Sequence, residues 1–189
     1  MNIGLYFGSF NPIHTAHLLI ASYVADSALV DKVWFVVSPQ NPLKPSNSLL
    51  NEYDRLHLVN LAIENDNRFK AVDIEFRLPK PSYTIDTLTY LQEKYPTYTF
   101  YVIIGADSYV NLPKWKNYEI LKNNYPFIIY NRPGIELKQP LPKNFKILTA
   151  PLLEISSTEI RKKIKAKKSI LYMLPDAVRI EIERNGYYK

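Results

Sequence analysis

An α/β fold, with a central mostly parallel sheet flanked by helices, is predicted by two features of the sequence. Short and almost continuously apolar runs recur along the chain, as in strands that are covered on both faces. Between these runs lie stretches whose apolar residues repeat at helical spacing. Strand–helix alternation of this kind is typical of βαβ units with right-handed crossovers, which build a parallel sheet.

The order of these patterns predicts six strands and four helical segments. The strands are Ile3–Phe7, Val33–Ser38, Ala71–Glu75, Thr99–Ile104, Phe127–Tyr130 and Lys146–Thr149. The helical segments are Ala16–Ala28, Tyr53–Glu64, Thr84–Tyr95 and a C-terminal segment from Ser156 to Glu183 that is broken near Pro175. The chain has 189 residues and shows no repeat, so we expect one domain over residues 1–189.

Composition excludes several classes of protein. The chain has no cysteine, which excludes a disulfide framework, a Cys-ligated metal site and a cysteine nucleophile. The N-terminus lacks the features of a signal peptide, and no apolar run approaches the ~18 residues of a membrane span. We therefore expect a cytoplasmic protein with no membrane partner. The net charge of +6 favours an anionic partner, which can be a phosphate-bearing small molecule or a nucleic acid.

The positions of the five glycines exclude three common α/β sites. The chain lacks the G-x-G-x-x-G fingerprint of dinucleotide-binding domains and the G-x-x-x-x-G-K-[ST] motif of P-loop proteins. It also lacks the G-x-S-x-G elbow of α/β-hydrolases. The remaining interpretation is an α/β domain that binds phosphate by another device.

The segment after the first strand is a candidate for that device. Gly8 allows a tight turn and the close approach of an anion, and the next helix begins near His14 or Thr15 with free N–H groups. His14 and His17 share one face of its first turn. A pair of satisfied buried histidines is the alternative, and a metal site is disfavoured because His57 is the only other histidine. The combination of glycine, helix start and imidazoles favours phosphate binding.

A second candidate phosphate site lies near the C-terminus. Ser156 and Glu159 have the spacing of a capping box and mark a helix start, which by itself explains both residues. Ser157, Thr158 and the free amides of that start also form an anion site, with Arg161 one turn further on.

A third candidate site lies in the middle of the chain. Gly105 and Asp107 end an apolar strand, at the edge where α/β sheets bind ligands. Trp115 follows within a Pro- and Lys-containing loop, where an indole can stack on a planar ring. A half-buried packing tryptophan fits the same spacing.

These segments resemble the signatures of the HxGH nucleotidyltransferase superfamily, which transfers AMP or CMP to phosphate acceptors. Residues 8–17 (GSFNPIHTAH) are similar to its first motif, with Ala16 at the usual glycine and Asn11 where Asp is commoner. Residues 155–161 (ISSTEIR) are similar to its second motif. Within the superfamily, residues 103–115 (IIGAD…W), 82–88 (SYTIDTL) and 132–134 (RPG) resemble the nicotinate mononucleotide adenylyltransferase family. The resemblance implies a Rossmann-like nucleotidyltransferase fold.

The resemblance also implies a reaction and a set of site residues. The reaction is the transfer of AMP from ATP, accompanied by Mg²⁺, to nicotinate mononucleotide in NAD biosynthesis, giving deamido-NAD and pyrophosphate. His17 would stabilise the transition state and His14 would bind the triphosphate. The other residues implied at ATP are Gly8, Ser9, Phe10, Gly105, Asp107, Arg132, Ser156, Ser157, Thr158 and Arg161. Those implied at the acceptor are Lys44, Tyr83, Thr84 and Trp115, with no protein ligand to a metal.

Several alternatives stay open at this stage. Phosphopantetheine adenylyltransferase shares both signatures, although the GAD…W segment disfavours it and also disfavours a cytidylyltransferase. A basic nucleic-acid-binding module would expose its aromatic residues, whereas most aromatics here lie in strand-like runs. A nucleotide sensor and a hydrolase using Asp73 and Glu75 are weaker alternatives. We expect no nucleic-acid partner, and the sequence leaves open a homo-oligomer and the choice between acid and amide mononucleotides.

Overall fold

The computed structural model covers residues 1–40, 49–132, 134–137, 140–151 and 153–189. Among these residues the strands are β1 (Asn2–Gly8), β2 (Lys32–Val37), β3 (Phe69–Val72), β4 (Thr99–Gly105), β5 (Phe127–Tyr130) and β6 (Phe145–Leu148). The helices are α1 (Thr15–Asp26), α2 (Glu52–Ile63), α3 (Thr84–Lys94), α4 (Ala106–Asn111), α5 (Tyr118–Asn124), α6 (Ser157–Lys165) and α7 (Asp176–Asn185). Short 3₁₀ helices lie at Ile74–Arg77 and Leu112–Lys114. Lys44 lies outside the described residues, so its place at the acceptor stays a prediction.

The strands form one parallel sheet in the order β3-β2-β1-β4-β5-β6. The predicted parallel α/β fold is therefore confirmed. The chain winds outward from β1 to β3 and then returns to place β4 on the other side of β1. Because the winding direction reverses between β1 and β4, a crevice opens at the carboxyl ends of these two strands. Both Gly8 and Gly105 lie at that edge.

Two apolar layers cover the faces of the sheet. Alternate residues of β2 face opposite sides: Val33, Phe35 and Val37 lie in one layer, whereas Trp34 and Val36 lie in the other. Helices α1, α2, α6 and α7 pack in the first layer, and α3, α4 and α5 pack in the second. This double coverage explains the continuous apolar character of the strands. Within the described ranges, no helix has the length and apolar composition needed to cross a membrane.

The structure departs from the sequence prediction mainly in the C-terminal segment. Helix α6 ends at Lys165 and α7 begins only at Asp176, so the break is ten residues long rather than a kink at Pro175. Lys167 ends α6 in a left-handed conformation, with a φ of 52°. Its N–H donates to the Ile164 carbonyl, and the N–H of Lys168 donates to the Lys163 carbonyl. This bonding is a Schellman motif, which usually contains glycine and here contains lysine.

Candidate active site

The loop after β1 turns around the side chain of Phe10. This residue has a φ of 43°, a left-handed backbone that is rare for a large side chain. Its buried ring lies over Gly8, where an added Cβ would come within 2.8 Å of the ring. The glycine is therefore required by the close approach of Phe10. The segment predicted to bind phosphate is thus packed against a buried aromatic ring.

His14 and His17 stand side by side at the end of this turn. His14 is the N-cap of α1, and the two imidazole rings stack with their centroids 3.6 Å apart. The Nδ1 of His17 accepts a hydrogen bond of 3.3 Å from the His14 backbone N–H. Neutral His17 therefore carries its ring proton on Nε2, the atom that can donate to a phosphate oxygen.

His14 is neutral at physiological pH. Its side chain is buried, and residual exposure of the residue is 5%. Burial, together with the positive charge of Arg132, lowers the pKa of His14 to about 4. The side chains of His14 and His17 each face the backbone N–H of the other in a capping box, which holds both imidazoles at the start of α1.

We expect the buried state of His14 to make stability depend on pH. The pKa falls from 6.5 in the unfolded chain to about 4 in the folded one, so between these values the unfolded state binds more protons. The free energy of unfolding is then fully retained above pH 6.5 and decreases by about 3 kcal/mol as the pH falls to 4. Urea unfolding at a series of pH values measures this slope. The variant His14→Gln should flatten the slope in that window, and an unchanged slope would contradict the assignment.

The start of α6 contacts the loop after β1. The Ser157 hydroxyl donates to the Pro12 carbonyl at 2.9 Å, and Nη1 of Arg161 donates to the Asn11 carbonyl at 2.7 Å. The Ser156 hydroxyl caps the helix by accepting from the Glu159 N–H. The structure thus brings the two predicted phosphate-binding segments together, although about 140 residues separate them in the chain.

The N-terminus of α1 is less open than the sequence predicts. Its first amide, the Thr15 N–H, donates to the Met173 carbonyl at 3.0 Å, and the Thr15 hydroxyl donates to the same oxygen at 3.0 Å. The N–H of His17 is also used, since it donates to the His14 carbonyl. Two of the first three amides of α1 are therefore already hydrogen-bonded within the protein.

The carboxyl end of β4 holds an ion pair. The Asp107 carboxylate lies 3.4 Å from Nε of Arg132, and Nη2 of Arg132 donates to the Tyr130 hydroxyl at 3.1 Å. Tyr130 in turn lies 3.4 Å from the hydroxyl of buried Tyr6. A Cβ at Gly105 would collide with the Asp107 carboxylate. The absence of a side chain at Gly105 therefore leaves room for the Asp107–Arg132 pair beside the end of β4.

Three of the residues predicted at the acceptor, Tyr83, Thr84 and Trp115, lie near the start of α3. Tyr83 is the N-cap of α3 and Thr84 is its first residue. Lys116, next to Trp115 in the chain, donates to the Asp86 carboxylate at 2.9 Å and lies 4.8 Å from the centroid of the Tyr83 ring. Trp115 is half-buried against the second apolar layer. The Trp115 segment and the start of α3 thus form one wall of the crevice.

Two buried charged residues near this edge were not predicted to have a role in binding. Arg55 of α2 is fully buried and donates to four backbone carbonyls. Glu75 is also buried and accepts from the hydroxyls of Ser82 and Thr87. The sequence pattern indicates that Arg55 is buried, because it lies on the same helical stripe as the apolar residues Leu58 and Val59. For Glu75 the sequence contained no comparable signal.

Comparison with known proteins identifies close relatives over the full length of the chain. The sequence profile of the cytidylyltransferase-like family matches residues 5–163. A protein of Cytophaga hutchinsonii named "Probable nicotinate-nucleotide adenylyltransferase" is 49% identical, with 100% of this chain and 98% of that protein covered. A protein of the same name from Flavobacterium psychrophilum is 48% identical, with 100% of both chains covered.

A solved structure is similar at the level of the fold and the sequence. Plasmodium falciparum nicotinic acid mononucleotide adenylyltransferase complexed with NaAD superposes with a TM-score of 0.85 and 25% sequence identity. The match covers 99% of this chain and 97% of that one. The same enzyme complexed with APC gives a TM-score of 0.84.

Proposed function

The chain belongs to the cytidylyltransferase-like family and, within it, to the nicotinate-nucleotide adenylyltransferases, and from this premise we propose the reaction and the role of each site residue. The enzyme transfers AMP from ATP to nicotinate mononucleotide, and the products are nicotinate adenine dinucleotide and pyrophosphate. The observation that carries the proposal is the contact between the start of α6 and the loop after β1, through Ser157 and Arg161. This contact supports the proposal because it brings the two predicted phosphate-binding segments close enough to bind one polyphosphate.

The chemistry requires positioning and charge neutralisation. The nucleophile is a phosphate oxygen of the mononucleotide, and its second pKa of about 6 makes it largely dianionic at neutral pH. A bond forms between this oxygen and the α-phosphorus of ATP, and the bond from that phosphorus to the pyrophosphate oxygen breaks. No general base and no covalent enzyme intermediate are needed. The protein must align two anions and offset their repulsion.

The two histidines are assigned to the reacting phosphates. His17 donates from Nε2 to the α-phosphate, on which negative charge shifts in the transition state. His14 contacts the triphosphate through an imidazole that burial keeps neutral in the free enzyme. The bound anion would favour the protonated form of His14, because an adjacent negative charge raises the pKa of an imidazole.

The remaining ATP contacts are assigned to three segments. Ser156, Ser157, Thr158 and Arg161 at the start of α6 bind the outer phosphates. Gly8, Ser9 and Phe10 line the loop over which the triphosphate passes. Gly105 and Asp107 at the end of β4, together with Arg132 after β5, bind the nucleotide ribose and the adjacent part of ATP. The support for this last assignment is the Asp107–Arg132 ion pair at the edge of the crevice.

The acceptor occupies the wall formed by Trp115 and the start of α3. Trp115 stacks on the pyridine ring, and Tyr83 and Thr84 are positioned for the nicotinate carboxylate at the helix N-terminus. Lys44 is assigned to the acceptor on the strength of its motif alone. A negatively charged acceptor is consistent with the net charge of +6.

Magnesium is assigned to ATP and not to a protein site. In the part of the chain that the structure describes, no group of three or more His, Asp or Glu side chains could hold a metal ion. We propose that Mg²⁺ arrives with ATP and is coordinated by phosphate oxygens and water. When bound in this way, Mg²⁺ neutralises part of the charge of the triphosphate.

Pyrophosphate release tests the proposed function. The purified protein is incubated with ATP, Mg²⁺ and one acceptor at a time: nicotinate mononucleotide, nicotinamide mononucleotide or phosphopantetheine. We expect release with nicotinate mononucleotide and the formation of nicotinate adenine dinucleotide. Release with phosphopantetheine alone would overturn the proposal.

Gly105→Ala tests the role of the Asp107–Arg132 pair. The added methyl group would displace the Asp107 carboxylate, and it would lie 3.0 Å from Nε of Arg132 and 3.2 Å from the buried Tyr130 ring. The two charged side chains can move, but the ring has less freedom, so we expect a modest decrease in the thermal unfolding temperature. We expect kcat/KM for ATP to fall roughly tenfold, because a misplaced contact weakens alignment. An unchanged kcat/KM would remove this pair from the ATP site.

A further inference from the structure

Two buried charged residues lie beside the site but have no part in the proposed reaction. Arg55 is 0% exposed and Glu75 is 2% exposed. Removing a charge from water is costly unless hydrogen bonds replace its hydration. Both residues therefore depend on their hydrogen-bond partners, and those partners belong to the loops that form the two ends of the site.

Arg55 holds the backbone at the ATP end. Its guanidinium donates to the Ser9 carbonyl in the loop after β1, and to the carbonyls of Ser38 and Pro39, which follow β2, at 2.8 and 3.1 Å. Its Nε donates to the Leu50 carbonyl at 2.8 Å. The planar fork of arginine lets one side chain connect these segments, which a lysine cannot do in the same geometry.

Glu75 holds the backbone at the acceptor end. It accepts hydrogen bonds from Ser82 at 2.7 Å and from Thr87 at 2.9 Å. These two residues flank Tyr83 and Thr84, at the start of α3 where the nicotinate ring is assigned. The position of that helix start therefore depends on a carboxylate that lies outside α3.

Ser38 lies between the two buried charges. Its N–H donates to the Gly8 carbonyl at 2.9 Å, and its carbonyl accepts from Arg55. It follows β2, next to β3 and the 3₁₀ helix that contains Glu75. Burial raises the pKa of Glu75, and the Ser38 hydroxyl offsets part of this rise. Buried contacts thus extend from Gly8 and Ser9 through Ser38 and Glu75 to the start of α3.

We propose that Arg55, Ser38 and Glu75 are positioning residues that fix the ATP-binding loop relative to the acceptor-binding start of α3. The inference rests on the proposed function, because only a reaction between two separately bound substrates requires this distance to be fixed. An enzyme that forms no covalent intermediate with its substrates derives its rate from alignment, and a displacement of about 1 Å can cost about 10²-fold in rate. Buried and fully hydrogen-bonded groups are suited to this task because they have few alternative conformations.

Two hydroxyl deletions test the path at its acceptor end. Ser38→Ala keeps both backbone bonds of Ser38 and removes its link to Glu75, and Thr87→Val removes a second link with little change in volume. We expect each variant to raise the KM for nicotinate mononucleotide about five- to tenfold, the effect of losing one buried hydrogen bond. The KM for ATP should change less than about twofold. Thr89→Ala is the matched control, since it removes a hydroxyl of exposed Thr89 in α3 that donates to the Ile85 carbonyl and interacts with Tyr125, not with Glu75.

The double variant provides the second measurement. Because both deletions act through Glu75, their effects on the acceptor KM should be less than additive in free energy.

Amide hydrogen exchange should accelerate at residues 82–86 in each variant and stay unchanged in Thr89→Ala. Acceptor KM values that match wild type, or KM values for both substrates that rise together with a loss of thermal stability, would overturn the inference. Absence of turnover in the wild-type enzyme with this acceptor would instead overturn the proposed function.

Discussion

Replacing His17 with alanine is expected to lower kcat by about 10²-fold or more, the usual effect of removing one preorganised hydrogen-bond donor from a transition state. The Nε2 proton of His17 is held in place because Nδ1 accepts from the His14 N–H, and the His14 ring stacks against it. Alanine removes the donor and leaves the rest of α1 intact. Steady-state measurement of kcat and KM, with thermal unfolding of the same sample, gives the result.

His57→Ala is the matched control for this experiment. His57 is a histidine on α2 whose side chain is 53% exposed and pairs only with Glu181 at 3.5 Å among the described residues. We expect that variant to retain the turnover of the wild type. Near-normal turnover in the His17 variant, or an equal loss in both, would refute the role assigned to His17.

Replacing Arg161 with alanine is expected to raise the KM for ATP about 10- to 100-fold, as the loss of charge-assisted hydrogen bonds predicts. The arginine has two functions that alanine removes together. Its charge faces the assigned phosphates, and its Nη1 donates to the Asn11 carbonyl and ties α6 to the loop after β1. A lysine at this position should restore only part of the affinity, because it lacks the guanidinium fork.

Lys162→Ala controls for net charge. Lys162 is the exposed neighbour of Arg161 and carries the same formal charge. If long-range attraction of ATP accounts for the effect, both variants should raise the KM equally, and raising the salt concentration should abolish the difference from wild type. A selective effect at Arg161 that persists in salt would indicate a direct contact.

Much of the fold could be predicted from local sequence patterns. The bounds of β5 agree with the prediction at both ends, since the apolar run Phe127–Tyr130 is flanked by polar residues and a proline. Strand β3 is less regular: it begins at Phe69 and ends at Val72, and the chain then turns into a 3₁₀ helix. Helices α4 and α5 were not predicted because they are short and Pro113 interrupts the region between them. Local pattern thus identifies buried strands better than short surface helices.

The candidate site was predictable to the extent that it depends on motifs. The histidine pair and the start of α6 are each recognisable because a helix start and its side chains are close in sequence. The partners of Thr15 and Arg55 are different, because each is a backbone carbonyl from a distant segment. A carbonyl has the same chemistry at every position, so no residue type in the sequence marks it. Such contacts become visible only in the folded chain.

The bond between Thr15 and the Met173 carbonyl has a consequence for the synthesis of the enzyme. During translation the first histidines leave the ribosome long before residues 157–173, which complete their surroundings. A nascent chain that ends before α6 therefore lacks the contacts of Ser157 and Arg161 with the loop after β1. A ligand that needs both segments, as we propose for ATP, can stabilise only molecules in which α6 has docked.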